Sequence, residues 1–514
     1  MSKYPCVGID LGTTYSALAV INAAGRPEIV SNAEGEKVTR SAVLFQEKGP
    51  VLIGERAKRK AGAYPERVAQ WVKRRMGEPD WRFQFEGQSH SAIDISGMIL
   101  RKVKKDAEAR LGDIKYAVVT VPAYFDEPRR TATMNAARLA GLELLEIINE
   151  PTAASITYAS TGGRPGTILV YDFGGGTFDV SIVRVKDTFN VEVVATEGDH
   201  QLGGYDLDKR LARHFAQHLQ QEKNIRVTED EKNGSWLDLI DQSETVKKDL
   251  SSMSQDRCRL TWGAHIVPMD IHRSTFEEVI SEEIVRTQML VENALEAAEM
   301  SPKDIDEVLL VGGSTRIPAV KQMLKRKFGK EPVSYVSEDE AVAMGAAIKA
   351  GYLMNERGLT DLTPEAVAII SRTKLQDVTA HSLGTLAVCD VGGEMKLRNV
   401  IMIRKNSSIP IKKTETFHTI VKNQTTVNCS VTQGEDADPE FVKTLLKEQM
   451  ELPSDRPAGC PIEITYSYDV NGQMKFEFKD VESGRVKVLK STDAERAQRH
   501  VEEIEADFDD LEIE

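Results

Sequence analysis

Residues 171–179 read YDFGGGTFD, three consecutive glycines with a carboxylate close on either side. Consecutive glycines cost backbone entropy, so a turn that keeps them indicates that something approaches the backbone closely. Residues 6–21, CVGIDLGTTYSALAVI, follow the same plan: a strand that ends in Asp-x-Gly, a turn of small residues and a second strand. Asp10 and Asp172 occupy equivalent places in the two copies. This repeat predicts two similar lobes that face one another.

The two turns carry the groups that bind phosphate. Backbone N–H groups without side chains form concave nests for anions, and the hydroxyls of Thr13 and Thr14 add donors. Asp10 and Asp172 would repel phosphate directly, so they indicate Mg²⁺ with retained waters between the acids and the phosphates. A single glycine-rich hairpin is more often only a tight turn. Two matched hairpins and a third glycine site, LVGGSTRIP, together predict a nucleotide polyphosphate and its metal.

The chain changes character near residue 355. Before it, Val- and Ile-rich runs alternate with amphipathic stretches, which predicts α/β layers. A polar, irregular stretch follows, and then alternating strands from about 379 to 490 predict an all-β sandwich. The segment DVNGQMKFEF places Asn-Gly between two strand patterns and predicts a hairpin. The last residues end as an acidic run, which we expect to be a solvated tail.

Composition excludes several classes of function. The 514 residues are too many for one core and carry a net charge of −14, which argues against nucleic-acid and anionic-membrane binding. No apolar run is long enough to span a bilayer, and the N-terminus enters a strand with no leader pattern. The five cysteines are scattered and lack metal-ligand spacing. This pattern favours reduced thiols in a cytoplasm and no structural metal.

Seven motifs in fixed order resemble the 70-kilodalton heat-shock chaperone family of the DnaK type. They are GIDLGTTYS, VPAYFDEPRRTAT, INEPTAAS, YDFGGGTFDVSI, LGGYDLD, LVGGSTRIP and DEAVAMGAA. The resemblance runs from residue 5 to about 490 and is strongest before residue 350. It implies an actin-like two-lobed ATPase domain over residues 1–365, a linker at 366–378, a β-sandwich that binds substrate at 379–490, and an acidic tail at 491–514.

The resemblance also implies which residues bind ATP or ADP with Mg²⁺. Asp10 and Asp172 would hold the metal through water. The implied catalytic residues are Lys73, Glu150, Asp10, Asp172 and Thr177. Lys73 would lie near the γ-phosphate and the attacking water, where an ammonium offsets charge on the transferring group. Glu150 would place the nucleophile.

Residues from both lobes are implied in nucleotide binding. Those of the phosphate loops are Gly12, Thr13, Thr14, Tyr15, Gly174, Gly175 and Gly176, followed by Gly203 and Gly204. Those on the nucleoside side are Glu244, Lys247, Lys248, Ser251, Gly312, Gly313, Ser314, Arg316 and Asp339. Two positions depart from the family pattern: lysine stands at 248, where relatives often carry arginine, and Tyr205 replaces an acid.

The linker and the end of the sequence depart further. Relatives carry a run of leucines before the β-domain, whereas SRTKLQDVTA holds only Leu375, so coupling between the domains would be weak or would use VAII at 367–370. After Lys490 only 24 residues remain, which is too few for the family's helical lid. We therefore expect a missing or vestigial lid and fast exchange of bound peptide.

The resemblance implies an ATP-dependent chaperone for extended hydrophobic segments of unfolded proteins. The implied partners are a J-domain co-chaperone and a nucleotide-exchange factor, with no nucleic acid and no membrane. Two alternatives keep the same ATP site. One is a regulatory protein that binds ATP with weak or absent domain coupling. The other is an actin-like small-molecule kinase, but the β-domain and the NEPTAA motif argue against it.

Overall fold

The structure is a computed structural model that describes residues 3–187, 190–370, 374–489, 508 and 511–514. The chain divides into two compact units. Unit 1 comprises Met1–Tyr124, Ala132–Leu375 and Val501–Glu514, and unit 2 comprises Phe125–Thr131 and Gln376–His500. The chain therefore passes from unit 1 into unit 2 twice and returns to unit 1 each time.

The strands are short, and most of those in unit 1 are rich in buried aliphatic residues. In unit 1 they are β1 (Val7–Asp10), β2 (Tyr15–Ile21), β3 (Pro27–Ile29), β4 (Thr39–Arg40), β5 (Ala42–Leu44), β6 (Leu52–Ile53), β7 (Val68–Gln70), β8 (Phe83–Phe85), β9 (Gln88–His90), β10 (Tyr116–Val121), β11 (Glu143–Asn149), β12 (Gly166–Phe173), β13 (Phe178–Asp187), β14 (Asn190–Asp199), β15 (Gln255–Trp262), β16 (His265–His272) and β17 (Glu307–Val311). The strands that follow are β18 (Lys374–Val378), β19 (Leu383–Val391), β20 (Glu394–Ile403), β21 (Ser408–Ile409), β22 (Ile411–His418), β23 (Thr426–Gln433), β24 (Lys443–Glu451), β25 (Pro461–Tyr468), β26 (Met474–Asp480) and β27 (Val486–Leu489).

The helices precede the second set of strands. They are α1 (Glu55–Lys58), α2 (Ala92–Leu111), α3 (Glu127–Leu139), α4 (Glu150–Ser160), α5 (Gly204–Lys223), α6 (Gly234–Ser252), α7 (Arg273–Val279), α8 (Ser281–Ala297), α9 (Pro318–Phe328), α10 (Ala341–Glu356) and α11 (Pro364–Ile370). Short 3₁₀ turns lie at Val72–Arg75, Pro302–Asp304, Gly313–Arg316 and Pro439–Phe441. Among the described residues, no helix combines the length and the apolar character needed to cross a membrane.

Two sheets of unit 1 share one strand plan. In the first, β1 pairs antiparallel with β2, β2 pairs with β3, and β1 lies parallel to β10. In the second, β12 pairs antiparallel with β13, β13 pairs with β14, and β12 lies parallel to β17. Asp10 ends β1, and Asp172 lies one residue before the end of β12. The predicted repeat and the predicted α/β class are both confirmed.

Helix α10 packs unusually close to its neighbours because its sequence, AVAMGAAIKAGYLMNE, is rich in small residues. A Cβ atom at Gly345 would lie 1.8 Å from the carbonyl oxygen of Ala153 on α4. A Cβ atom at Gly8 on β1 would lie 2.0 Å from the backbone nitrogen of Ala347. Larger residues would separate these elements. Since β1 ends at Asp10 and α4 begins at Glu150, α10 fixes the positions from which both carboxylates extend.

Unit 2 is built from two four-stranded antiparallel sheets, ordered β20-β19-β23-β24 and β22-β25-β26-β27. One apolar cluster, which includes Met402, Val431 and Phe478, is formed by residues of both sheets. The hydroxyl of buried Tyr466 lies 2.8 Å from the carbonyl oxygen of Gly384 and so links the sheets. The predicted hairpin is confirmed: β25 and β26 pair across a turn that contains Asn471-Gly472. The predicted β-sandwich is therefore confirmed.

The stretch expected to be irregular after residue 355 contains a helix, α11. Ala366 and Ile370 are fully buried, one helical turn apart, and α11 contacts α10. This apolar spacing explains the helix. Ala366 and Ile370 both fall inside the expected linker, 366–378. Residues 371–373 and the side chain of Leu375 lie outside the described residues.

Most of the expected acidic tail, 491–514, also lies outside the described residues. The expectation of a solvated tail is wrong at two of the positions that are described. Phe508 is 5% exposed and Ile513 is 4% exposed. Both are apolar residues within the acidic run, so they gain free energy when they leave water.

We predict that Gly345→Ala lowers the free energy of unfolding of unit 1 by about 3 kcal/mol, because the new methyl group meets the α4 backbone. The chain's four tryptophans, Trp71, Trp81, Trp236 and Trp262, all lie in unit 1, so their fluorescence during urea unfolding reports this change. Asn355→Ala, in the last turn of α10, is the control and should change stability by less than about 0.5 kcal/mol. Equal effects of the two substitutions would contradict the close contact.

Candidate active site

One cavity of about 610 Å³ in unit 1 collects nearly all the residues predicted to bind nucleotide. Its volume lies in the range of small-molecule sites. The predicted residues that line it are Asp10, Gly12, Thr13, Thr14, Tyr15, Lys73, Glu150, Asp172, Gly174, Gly175, Thr177, Gly204, Glu244, Lys247, Lys248, Ser251, Gly312, Gly313, Ser314, Arg316 and Asp339. Gly176 and Gly203 do not line the cavity. They lie behind its wall, where a Cβ atom at Gly203 would fall 2.4 Å from the Cα atom of Gly176.

The two glycine turns pack against each other. A Cβ atom at Gly175 would lie 1.9 Å from the Oγ1 atom of Thr14, and one at Gly176 would lie 2.4 Å from the Cγ2 atom of Thr13. The opposite turn therefore requires glycine at both positions. The amide of Gly204 also donates to the carbonyl oxygen of Gly174 at 3.0 Å. These contacts hold the turns together before anything binds.

The centre of the cavity holds an ammonium group among carboxylates. Lys73 is 5% exposed, and its Nζ atom donates to the Oε1 atom of Glu150 at 2.5 Å. Burial alone lowers the pKa of Lys73, but the carboxylates of Glu150 and Asp10 outweigh it, so the net shift raises the pKa. Burial, together with the charge of Glu150, raises the pKa of Asp10 to about 7. Burial and the same charge raise the pKa of Asp172.

This donor set suits a divalent cation. Three carboxyl groups, those of Asp10, Asp172 and Glu150, face the one ammonium of Lys73, and burial together with the charge of Glu150 raises the pKa of both aspartates. Within the described residues, no group of three or more His, Cys, Asp or Glu side chains is arranged to bind a metal directly. A cation here would complete its ligands with phosphate oxygens and water, as Mg²⁺ commonly does.

The cavity is also lined by an ion pair that the sequence analysis did not predict. Arg40, on β4, donates from its two terminal nitrogens to both carboxylate oxygens of Glu244 on α6, at 2.7 and 2.5 Å. It also donates to the Tyr15 hydroxyl at 2.7 Å. Lys248 contacts the same carboxylate at 2.8 Å. Burial alone raises the pKa of Glu244, but the hydrogen bonds from Arg40 outweigh it and lower that pKa.

The third glycine site lines the same cavity as this pair. At Gly312 the backbone φ is +80°, and a Cβ atom would lie 2.5 Å from the carbonyl oxygen of Phe173. The hydroxyl of Ser314 donates to the carbonyl oxygen of Gly174 at 3.0 Å. Arg316 forms an ion pair with Asp339 at 2.8 Å. The site is thus joined directly to the second glycine turn.

An aromatic stack connects the lysine to the second glycine turn. The rings of Trp71 and Tyr205 lie 4.1 Å apart, with 30° between their planes, and both residues line the cavity. Trp71 precedes the 3₁₀ turn that carries Lys73 and has a left-handed backbone, with φ of 55°, which is strained for a bulky residue. The amide of Tyr205 donates to the carbonyl oxygen of Gly175 at 2.8 Å. Tyr205, which replaces the family's acid, therefore serves as a packing partner.

Arg40 and Trp71 were missed because their partners are distant in sequence. Arg40 lies in KVTRSAV, where nothing distinguishes it from a surface arginine, and its partner Glu244 is 204 residues away. Trp71 stands two residues before Lys73, and this proximity is the one signal that could have identified it.

Comparisons with known proteins identify the family to which this chain is similar. A family profile described as "Hsp70 protein" matches residues 6–512. The chain is 39% identical over 497 residues to "Chaperone protein DnaK" of Thermotoga neapolitana, an alignment that covers 93% of this chain and 79% of the relative.

We predict that Glu244→Ala lowers the free energy of unfolding of unit 1 by about 3 kcal/mol, because it leaves Arg40 buried without its carboxylate. Arg257 and Asp270 form a matched surface pair, with side chains 78% and 74% exposed, so Asp270→Ala should cost less than about 0.5 kcal/mol. Urea unfolding followed by tryptophan fluorescence measures both. The double variant Arg40→Ala, Glu244→Ala should recover part of the loss. If Glu244→Ala and Asp270→Ala lowered the free energy of unfolding equally, the charge of Glu244 would not be needed to stabilise buried Arg40.

Proposed function

The chain belongs to the Hsp70 family, and from this premise we propose how its residues divide the work of that family. The protein is an ATP-dependent chaperone that binds ATP or ADP with Mg²⁺ and hydrolyses ATP. One observation supports the assignment of residues: a single cavity is lined by both glycine turns, by Asp10 and Asp172, and by the Lys73–Glu150 pair.

We assign Lys73 to the transferring phosphoryl group. Its raised pKa keeps the ammonium charged at neutral pH, so it offsets the negative charge of that group in the transition state. Glu150 fixes the position of this ammonium through the 2.5 Å contact and orients the attacking water. A strong base is not needed, because phosphoryl transfer demands mainly position and charge. Bound Mg²⁺ would neutralise phosphate charge, and Asp10 and Asp172 would hold its waters.

The remaining cavity residues bind the nucleotide. We propose that the N–H groups of the two glycine turns, with the hydroxyls of Thr13, Thr14 and Thr177, receive the phosphates. The nucleoside would lie between the Arg40–Glu244 pair and the Gly312–Gly313 site. Because the pair spans the cavity wall, it would also limit how fast nucleotide enters and leaves.

We propose that clients contact the hairpin formed by β19 and β20 in unit 2. Val388 stands opposite Leu397 in its register, and Met395 lies two residues from Leu397, so the three share one face. Their exposed fractions are 37%, 51% and 62% for Val388, Leu397 and Met395. Apolar residues that remain exposed together on one face are typical of a surface that binds another chain.

We also propose the domain plan and setting that the sequence suggested. Residues 1–365 would act as the ATPase domain, 379–490 as the client-binding domain and 366–378 as the linker. A J-domain co-chaperone and a nucleotide-exchange factor would act on this chaperone, as in the family. A cytoplasmic location is supported by the five cysteines, each of which is described and is a free thiol.

We predict that Lys73→Ala abolishes ATP turnover and that an unfolded hydrophobic peptide raises turnover of the unchanged protein. Lys60→Ala, at an exposed lysine of the same region, is the control and should leave turnover unchanged. Steady-state phosphate release with and without peptide measures both effects. Turnover that survives in Lys73→Ala would overturn the assignment of that lysine, and turnover indifferent to peptide would favour the uncoupled, regulatory alternative.

We predict that Leu397→Ser weakens binding of a fluorescent hydrophobic peptide about tenfold, because it removes apolar contact area from the hairpin face. Val470→Ser is the matched control, since Val470 is 54% exposed in the turn between β25 and β26. Fluorescence anisotropy measures both affinities. Equal affinities of the two variants would place the client elsewhere on unit 2.

A further inference from the structure

Residues 511–514 pair in parallel with a sheet edge of unit 1 through a bridge between Val51 and Ile513. The sheet β6-β5-β7 has β6 at its edge. The amide of Val51 donates to the carbonyl oxygen of Glu512 at 2.9 Å. The amide of Ile53 donates to the carbonyl oxygen of Glu514, also at 2.9 Å. The amide of Glu514 donates back to the carbonyl oxygen of Val51 at 3.0 Å. Unpaired sheet edges bind extended peptides in this manner, and the main chain supplies the affinity.

Two apolar side chains anchor the segment. Phe508 and Ile513 are both buried. Phe508 packs on α2 where that helix carries Gly97, since a Cβ atom at Gly97 would lie 3.2 Å from the Cζ atom of the ring. The guanidinium of Arg101, one turn along α2, lies 5.7 Å from the centre of the same ring. The two anchors stand five residues apart in the sequence. We call the surface of unit 1 that receives them, bounded by the β6 edge and α2, the groove.

The charges of the groove and the segment are opposite. Residues 501–514, VEEIEADFDDLEIE, hold eight acids and no lysine or arginine. On the groove side, Lys105 donates to the carbonyl oxygen of Ile513 at 2.6 Å, and Arg101 donates to that of Phe508. Arg56 pairs with Glu514 at 2.8 Å. The basic side chains thus meet both the backbone and the acids of the segment.

We propose that this groove is a recognition site for a short acidic segment with an aromatic anchor, and that its occupant is the chain's own C-terminal segment, held by Phe508 and residues 511–514. Phe508 and Ile513 are the buried members among the segment's described residues, while Glu512 and Glu514 stay exposed. Sheet pairing gives affinity, and Phe508, Ile513 and the acidic charge give specificity. This site is independent of the assignments made for the nucleotide and the client.

Hydrogen exchange in the full-length chain tests the proposal. In Phe508→Ala the segment should leave the groove, and the amides of Val51 and Ile53 should exchange at least about tenfold faster. The neighbouring amide of Gly54, which donates within the sheet to the carbonyl oxygen of Ala42, is an internal reference and should not change. Added peptide 501–514 should restore protection to this variant. The same peptide with alanine at 508 should bind about tenfold more weakly or worse.

A pair of lysines on α2 provides the second control. Lys105→Ala should weaken protection of Val51, whereas Lys104→Ala should not, because Lys104 donates to the carbonyl oxygen of Gly141 instead. Protection that is unchanged in both Phe508→Ala and Lys105→Ala would overturn the proposal. Failure of the peptide to bind the Phe508→Ala chain would overturn it as well. If protection of the unchanged chain rises with protein concentration while dimers form, the occupant is a second copy and the intramolecular assignment is wrong.

Discussion

A charged lysine buried among carboxylates is the constraint on which the rest of unit 1 depends. Burying such a group is costly unless opposite charges lie within reach. Lys73 finds Glu150 at 2.5 Å, and the charges of Asp10 and Asp172 add to the same field. These four side chains come from a 3₁₀ turn, the start of a helix and the ends of two strands in different sheets. The chain brings these four side chains together with two sheets that share one strand plan and with the small-residue helix α10.

The cavity is organised before a ligand arrives. Glycine is needed at 175 and 176 because Thr14 and Thr13 occupy the space that side chains would fill. The Trp71–Tyr205 stack and the Arg40–Glu244 pair join segments more than a hundred residues apart. A site whose donors already point inward loses little entropy on binding and stabilises developing charge without rearrangement. The strained backbone of Trp71 is consistent with such a fixed arrangement.

Sequence patterns predicted the parts of the fold that depend on local chemistry. The carboxylates at strand ends, the glycine turns and the Asn471-Gly472 hairpin all follow from residue types at short spacing. The partners of Arg40 and Trp71 could not be predicted this way, because tertiary packing alone brings distant segments together. Helix α11 was missed because it is short and polar residues precede and follow it, and the burial of Phe508 was missed because acids surround it in the sequence.

The strand contributed by residues 511–514 has a consequence for synthesis of the protein. The edge that it covers, at Val51–Ile53, leaves the ribosome roughly 460 residues earlier, which at ordinary elongation rates means about 20 to 90 seconds. During that interval the amides of Val51 and Ile53 lack the partners that residues 511–514 later supply. Open sheet edges pair readily with foreign chains. A nascent chaperone would therefore present the kind of surface that other nascent chains require chaperones to protect, until residues 511–514 have been synthesised.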